Sequence, residues 1–106
     1  MSRLQIDSNS EKNPIMYVDA GRDHSQIVLV DMYMDMGRNL TVKGVRSTIR
    51  EQAKSIVEMI LSYRPSKLII DTVGIGLALF DIIIEESRGK VRISENGSLT
   101  YMDKII

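Results

Sequence analysis

Residues 67–84 read KLIIDTVGIGLALFDIII. A short apolar run ends on an aspartate, a two-glycine break follows, and a second, longer apolar run begins. The first run is too short for a stable helix. The second is long enough for one, although the β-branched stretch Ile82 to Ile84 also suits a strand, and length decides for the helix. The segment is therefore a strand–turn–helix unit with a carboxylate, Asp71, at the carboxyl end of the strand. A strand with no polar face belongs in the interior of a sheet with helices on both faces. A helix that is apolar nearly all round, here 77–88 with Gly89 as its stop, is expected to pack deeply.

The preceding chain sets the sheet. IMYVDAG reads as a strand ending at Asp19, and SQIVLVDMYMD as a second strand, joined by a Gly-Arg-Asp-His turn that suits a hairpin. NLTVKGV has the alternation and β-branched content of a third strand, so the first half is expected to be a three-stranded antiparallel meander. The period then changes. In STIREQAKSIVEMILSY, Thr48 and Glu51 carry a capping-box signature, and Ile49, Ala53, Ile56, Val57 and Ile60 recur at helical spacing before Pro65 stops the helix. In the tail, Asn96-Gly97 lies between two short alternating runs and signals a hairpin. The order is β-β-β-α-β-α followed by one or two short strands.

Length and composition bound what this architecture can do. A chain of 106 residues with 43% hydrophobic content fits one domain with its own core. Residues 1–14 are polar and read as an arm before a domain spanning 15–106. There is no apolar signal core, and no run approaches the ~20 residues of a membrane span, so a cytoplasmic location without a membrane is expected. The chain has no cysteine, which excludes thiolate metal sites and a cysteine nucleophile. Fourteen basic and fourteen acidic residues give a formal charge of zero, so net charge lends no support to DNA binding and leaves a local basic face open.

Asp19 and Asp71 are both expected to end strands, and ligands of open α/β sheets collect beyond the carboxyl ends of strands. If the first and fourth strands are parallel neighbours, the intervening helix makes the crossover and the two carboxylates share one edge. Two adjacent carboxylates repel unless a cation joins them. Oxygen donors favour Mg²⁺ or Mn²⁺, and two such ions ~3.5–4 Å apart can serve phosphodiester cleavage. The glycines do not make a dinucleotide loop, because the third glycine of G-x-G-x-x-G would fall on Leu79. Gly74 and Gly76 instead suit a turn that brings backbone close to a phosphate and lets the helix pack on the strand.

YVDAGRDHSQIVLV, followed after a helix ending ILSYRP by SKLIIDTVGIGLALFDIII, resembles the C-terminal nuclease domain of phage terminase large subunits, over about residues 15–89. The resemblance implies an α/β, ribonuclease H-like fold: a mixed sheet with the three-stranded antiparallel meander and then α-β-α. It implies that Asp19 and Asp71 hold divalent metal ions, two Mg²⁺ or Mn²⁺, for cutting double-stranded DNA. The family's third acidic ligand lies on a later helix beyond the fifth strand, about where this chain ends, and neither Glu95 nor Asp103 matches it. No G-x-x-x-x-G-K-[ST] loop occurs, so an ATPase motor would belong to a partner chain, which would also supply the missing part of the fold.

Plainer explanations stand beside these. A strand-end aspartate also caps turns, and DAGRD by itself is turn chemistry. His24, the only histidine, is placed to orient a water or meet a phosphate, or is simply exposed in its turn. Arg46, Arg50 and Lys54, spaced by four, offer a phosphate-tracking stripe, or a solvated helix face, and Arg22 is a further candidate nucleic-acid contact. The methionines of DMYMDMG fill core or meet a partner. Two other functions remain: a non-catalytic ribonuclease H-like assembly module, including a homo-oligomer, and an actin-like or sugar-kinase-like ATPase, which needs two such domains where this chain has room for one.

Overall fold

The computed structural model describes residues 14–31 and 38–102. The methionines at 32, 34 and 36, the arm over 1–13 and Asp103 lie outside the described residues. The protein is an α/β structure in which β1 (Ile15–Asp19), β2 (His24–Asp31) and β3 (Arg38–Arg46) precede α1 (Ile49–Tyr63), β4 (Lys67–Ile70) and α2 (Ile75–Glu86). A hairpin of β5 (Val91–Ile93) and β6 (Leu99–Tyr101) ends the described chain.

The four main strands form one mixed sheet in the order β3-β2-β1-β4. The meander is antiparallel, and α1 carries the chain back so that β4 lies parallel to β1. Period-2 alternation decides what each strand buries. Met16 stands between Leu29 and Leu68, and Val18 between Ile27 and Ile70. These residues face α1 and α2, where Ile56, Ile60, Leu79 and Ile83 complete a single core.

The opposite face of the sheet corrects the expectation for β4. Tyr17 lies in register with Ile69, and they remain 37% and 38% exposed. Among the described residues, both helices pack on one face, and the apolar character of β4 serves one-sided burial only. α2 is likewise shallower than its composition suggests. It buries Gly76, Leu79 and Ile83, while Leu77 and Ile84 point outward. An apolar helix is only as buried as the surface available to receive it.

Local chemistry sets the helix ends. Thr48 caps α1, its hydroxyl accepting from the Glu51 amide at 3.2 Å. The Glu51 carboxylate accepts from the Ser47 hydroxyl and the Thr48 backbone, which holds it below the usual carboxylate range. At the other end Arg64 takes a left-handed conformation (φ 55°), Pro65 follows, and the guanidinium lies 4.5 Å from the centre of the Tyr101 ring. The Tyr101 hydroxyl donates to the Pro65 carbonyl at 2.6 Å, fastening β6 to the end of α1. The hairpin also reaches the outer edge of β4, where the Leu68 amide donates to the Gly97 carbonyl at 2.8 Å.

Candidate metal centre

The topology gathers one set of chain ends at one edge. β1 ends there at Asp19, and because β2 runs antiparallel to β1 and β3 to β2, His24 begins and Arg46 ends there too, paired in register. β4 runs parallel to β1, and Val18 pairs with Ile70. Asp19 and Asp71 are each the next residue along these two strands, so they leave adjacent parallel strands at the same level. Neighbouring strands lie ~4.8 Å apart, so the two aspartates leave the sheet from adjacent positions of its edge. Both are exposed.

Asp71 is held by the turn after it. The Gly76 amide donates to the Val73 carbonyl at 3.2 Å, and Gly74 has φ 60° and ψ −122°, the geometry that a type II′ turn requires at its second residue. That conformation favours glycine. Gly76 is needed for a different reason: a Cβ there would sit 1.6 Å from the Asp71 carbonyl oxygen. The first turn of α2 therefore rests directly on the backbone of Asp71. No side chain caps α2. Leu79, where a dinucleotide loop needs its third glycine, is fully buried core.

Asp19 is followed by the turn of residues 20–23, which is held from below. Gln52 of α1 is completely buried. Its Nε2 donates toward the carbonyls of Ser47 at 2.9 Å, Arg22 at 3.2 Å and Gly21 at 3.3 Å, and its Oε1 accepts from the Ser25 hydroxyl. Helical periodicity finds the apolar members of the α1 stripe and passes over Gln52. The signal for it is positional, since residue 52 precedes Ile56 by one turn on the inward face.

The basic residues divide. Arg22 is exposed in the turn after Asp19, and Arg46 is exposed at the end of β3. The His24 ring lies over Gly44, in the space that a side chain there would fill. Arg50 is engaged elsewhere: it donates to Glu86 at 2.7 Å and Glu85 at 2.9 Å, tying α1 to α2, and these hydrogen bonds raise its pKa above the usual guanidinium value. Lys54 is exposed one turn further on and shares a small groove with Glu58 and Glu86. The carboxylates of α2 thus offset the basic character of α1.

Among the described residues no group of three or more His, Cys, Asp or Glu side chains is placed to hold a metal ion. Glu95 is exposed in the β5–β6 turn, on the groove along the outer edge of β4. Among the described residues no helix is long and apolar enough to cross a membrane. No protein-family model matches the chain, and no curated protein matches it either.

Proposed function

We propose that this protein is a divalent-metal-dependent endonuclease domain with a ribonuclease H-like fold, similar to the nuclease domain of phage terminase large subunits. The observation that carries this reading is the departure of Asp19 and Asp71 from adjacent parallel strands in a sheet ordered β3-β2-β1-β4. The donor chemistry fits Mg²⁺ or Mn²⁺. Both side chains are hard oxygen donors open to solvent, and Mg²⁺ commonly takes one or two carboxylates and completes its shell with water and substrate phosphate.

Bound metal would supply a nucleophile from water and stabilise the leaving oxygen of a phosphodiester. The chain's own residues have narrower tasks. Asp19 and Asp71 hold the ions. The amino end of α2, which no side chain caps, offers a positive dipole end to phosphate. Arg22, His24 and Arg46 border the same edge and are suited to the backbone of double-stranded DNA, where phosphate contacts supply affinity. A third acid would come from outside the described residues or from a partner chain, which would also bring any ATPase motor. Such a domain would work on DNA in the cytoplasm.

Plasmid cleavage with Mn²⁺ or Mg²⁺, run beside Asp19→Asn and Asp71→Asn, tests the reading. Metal-dependent nicking lost in both variants is the expected result. A folded wild type that leaves the plasmid intact under every metal condition would refute the catalytic reading. A second reading is a non-catalytic assembly module, such as a homo-oligomer, and it is favoured by the uncovered apolar surface at Tyr17 and Ile69 and by Val73, which is 78% exposed beside Asp71. A module of that kind would keep its role with Asp19→Asn.

A further inference from the structure

We propose that Gln52 is a positioning residue for the candidate metal centre: its amide clamps the turn after Asp19 and so sets the affinity of the carboxylate pair for a divalent cation. This inference rests on the reading of Asp19 and Asp71 as metal ligands.

The chemistry of the contact is specific to glutamine. A fully buried amide is costly unless each of its polar atoms is paired, and here all of them are. Three backbone carbonyls surround Nε2 and a hydroxyl faces Oε1. The reverse orientation of the amide would press oxygen against three carbonyls, so the network admits one orientation. With two N–H groups for three acceptors, Ser47 takes the shortest bond and the carbonyls of Gly21 and Arg22 share the other donor. Ser25 closes the circuit, its hydroxyl oxygen accepting from the Gly21 amide at 3.4 Å. A glutamate would need a proton to imitate this, an asparagine is one methylene too short, and an aliphatic side chain would take the amide donor away from three part-buried carbonyls.

The placement makes the clamp more than a core contact. The β-ladder holds the amino side of Asp19 through the pairs Asp19–Gln26 and Val18–Ile70. The carboxyl side of Asp19 runs straight into the turn that Gln52 holds. The same turn carries Arg22. The clamp is anchored in α1, the crossover that leads to β4 and Asp71, so one amide ties the turn of one ligand to the element that delivers the other. Groups hydrogen-bonded to a metal ligand typically carry 10–100-fold in metal affinity, and Gln52, which holds the turn after Asp19 and not its carboxylate, belongs at the lower end of that range.

The test is Mn²⁺ affinity, measured by the paramagnetic resonance of free Mn²⁺, for wild type, Gln52→Met and Ile60→Ala at a temperature where all three are folded. Gln52→Met keeps length and volume and removes every hydrogen bond. Ile60→Ala opens a cavity two turns further along α1, away from the turn. Gln52→Met is expected to bind Mn²⁺ about tenfold more weakly while Ile60→Ala binds as wild type does. Equal affinity in Gln52→Met and wild type would overturn the positioning role alone, and so would an equal loss in Ile60→Ala. A folded wild type that binds no Mn²⁺ would overturn the metal site and the positioning role with it. Should Gln52→Met fail to fold, Ser25→Ala removes only the hydroxyl partner. A smaller loss in the same direction is then expected, and no loss would overturn the proposal.

Discussion

Replacing Gly76 by alanine separates helix propensity from the architecture of the candidate site. In an exposed helix interior the change would stabilise by about 1 kcal/mol, because alanine loses less backbone freedom than glycine. Here the new Cβ would lie 1.6 Å from the Asp71 carbonyl oxygen and 2.9 Å from its carbonyl carbon. That is roughly 2 Å short of ordinary contact, and the obstructing atoms are backbone, so no side chain can rotate away. Either the start of α2 lifts or the peptide after Asp71 turns. Forcing extra volume into a packed site typically costs ~1–3 kcal/mol, which outweighs the propensity gain. Thermal unfolding should show the variant melting several degrees below wild type, at roughly 4–8 °C per kcal/mol for a domain near this size. Gly74→Ala is the contrast. Nothing lies within 4 Å of a Cβ there, and the cost, ~1–3 kcal/mol, comes only from its φ of 60°. Both variants should lose stability, but only Gly76→Ala should move the backbone amide resonances of Asp71 and Thr72 strongly and weaken Mn²⁺ binding. A Gly76→Ala protein as stable as wild type, with Asp71 undisturbed, would refute the claim that α2 rests on the backbone of Asp71.

Two further predictions test the fold. Leu68 is buried under the helices and Ile69 is 38% exposed on the other face, so Leu68→Ala should cost about 2–5 kcal/mol in urea unfolding and Ile69→Ala less than half as much; equal costs would contradict a sheet covered on one side. The Glu51 carboxyl is held below its usual range by Ser47 and the Thr48 backbone, so its contribution is full above the ordinary carboxylate range and is lost as pH falls through the depressed value; the melting difference between wild type and Glu51→Gln should therefore close in acid, and a difference independent of pH would refute the capping role.

Local signals in the sequence were readable where local physics decides the outcome. The Thr48–Glu51 capping box marks the start of α1, alternation marks β3, and Asn96-Gly97 marks the turn between β5 and β6. Adjacency of Asp19 and Asp71 was legible only as a condition, since α1 connects β3 to β4 and the placement of β4 beside β1 is decided by the sheet order. What was not legible depends on partners distant in the chain. β4 and α2 are apolar on every side, yet the number of covered faces is set by what packs against them, and Ile69 and Leu77 are left outside. The helical reading started α2 two residues late, because the turn at Gly74 admits Ile75 and Gly76 to the helix. Arg50 belongs by spacing to a basic stripe, and only the approach of α2 engages it with Glu85 and Glu86. Gln52 looks like one more polar residue on an amphipathic helix until three carbonyls from two separate segments converge on it.

Asp19 and Asp71 together are proposed as a divalent-cation site. Mn²⁺ titration of folded wild type, Asp19→Asn and Asp71→Asn tests it most directly, without requiring a third ligand or a DNA substrate. Saturable binding by wild type, weakened at least tenfold by either substitution, is the predicted result. Binding that survives both substitutions unchanged, or a folded wild type that binds no Mn²⁺, would contradict the account.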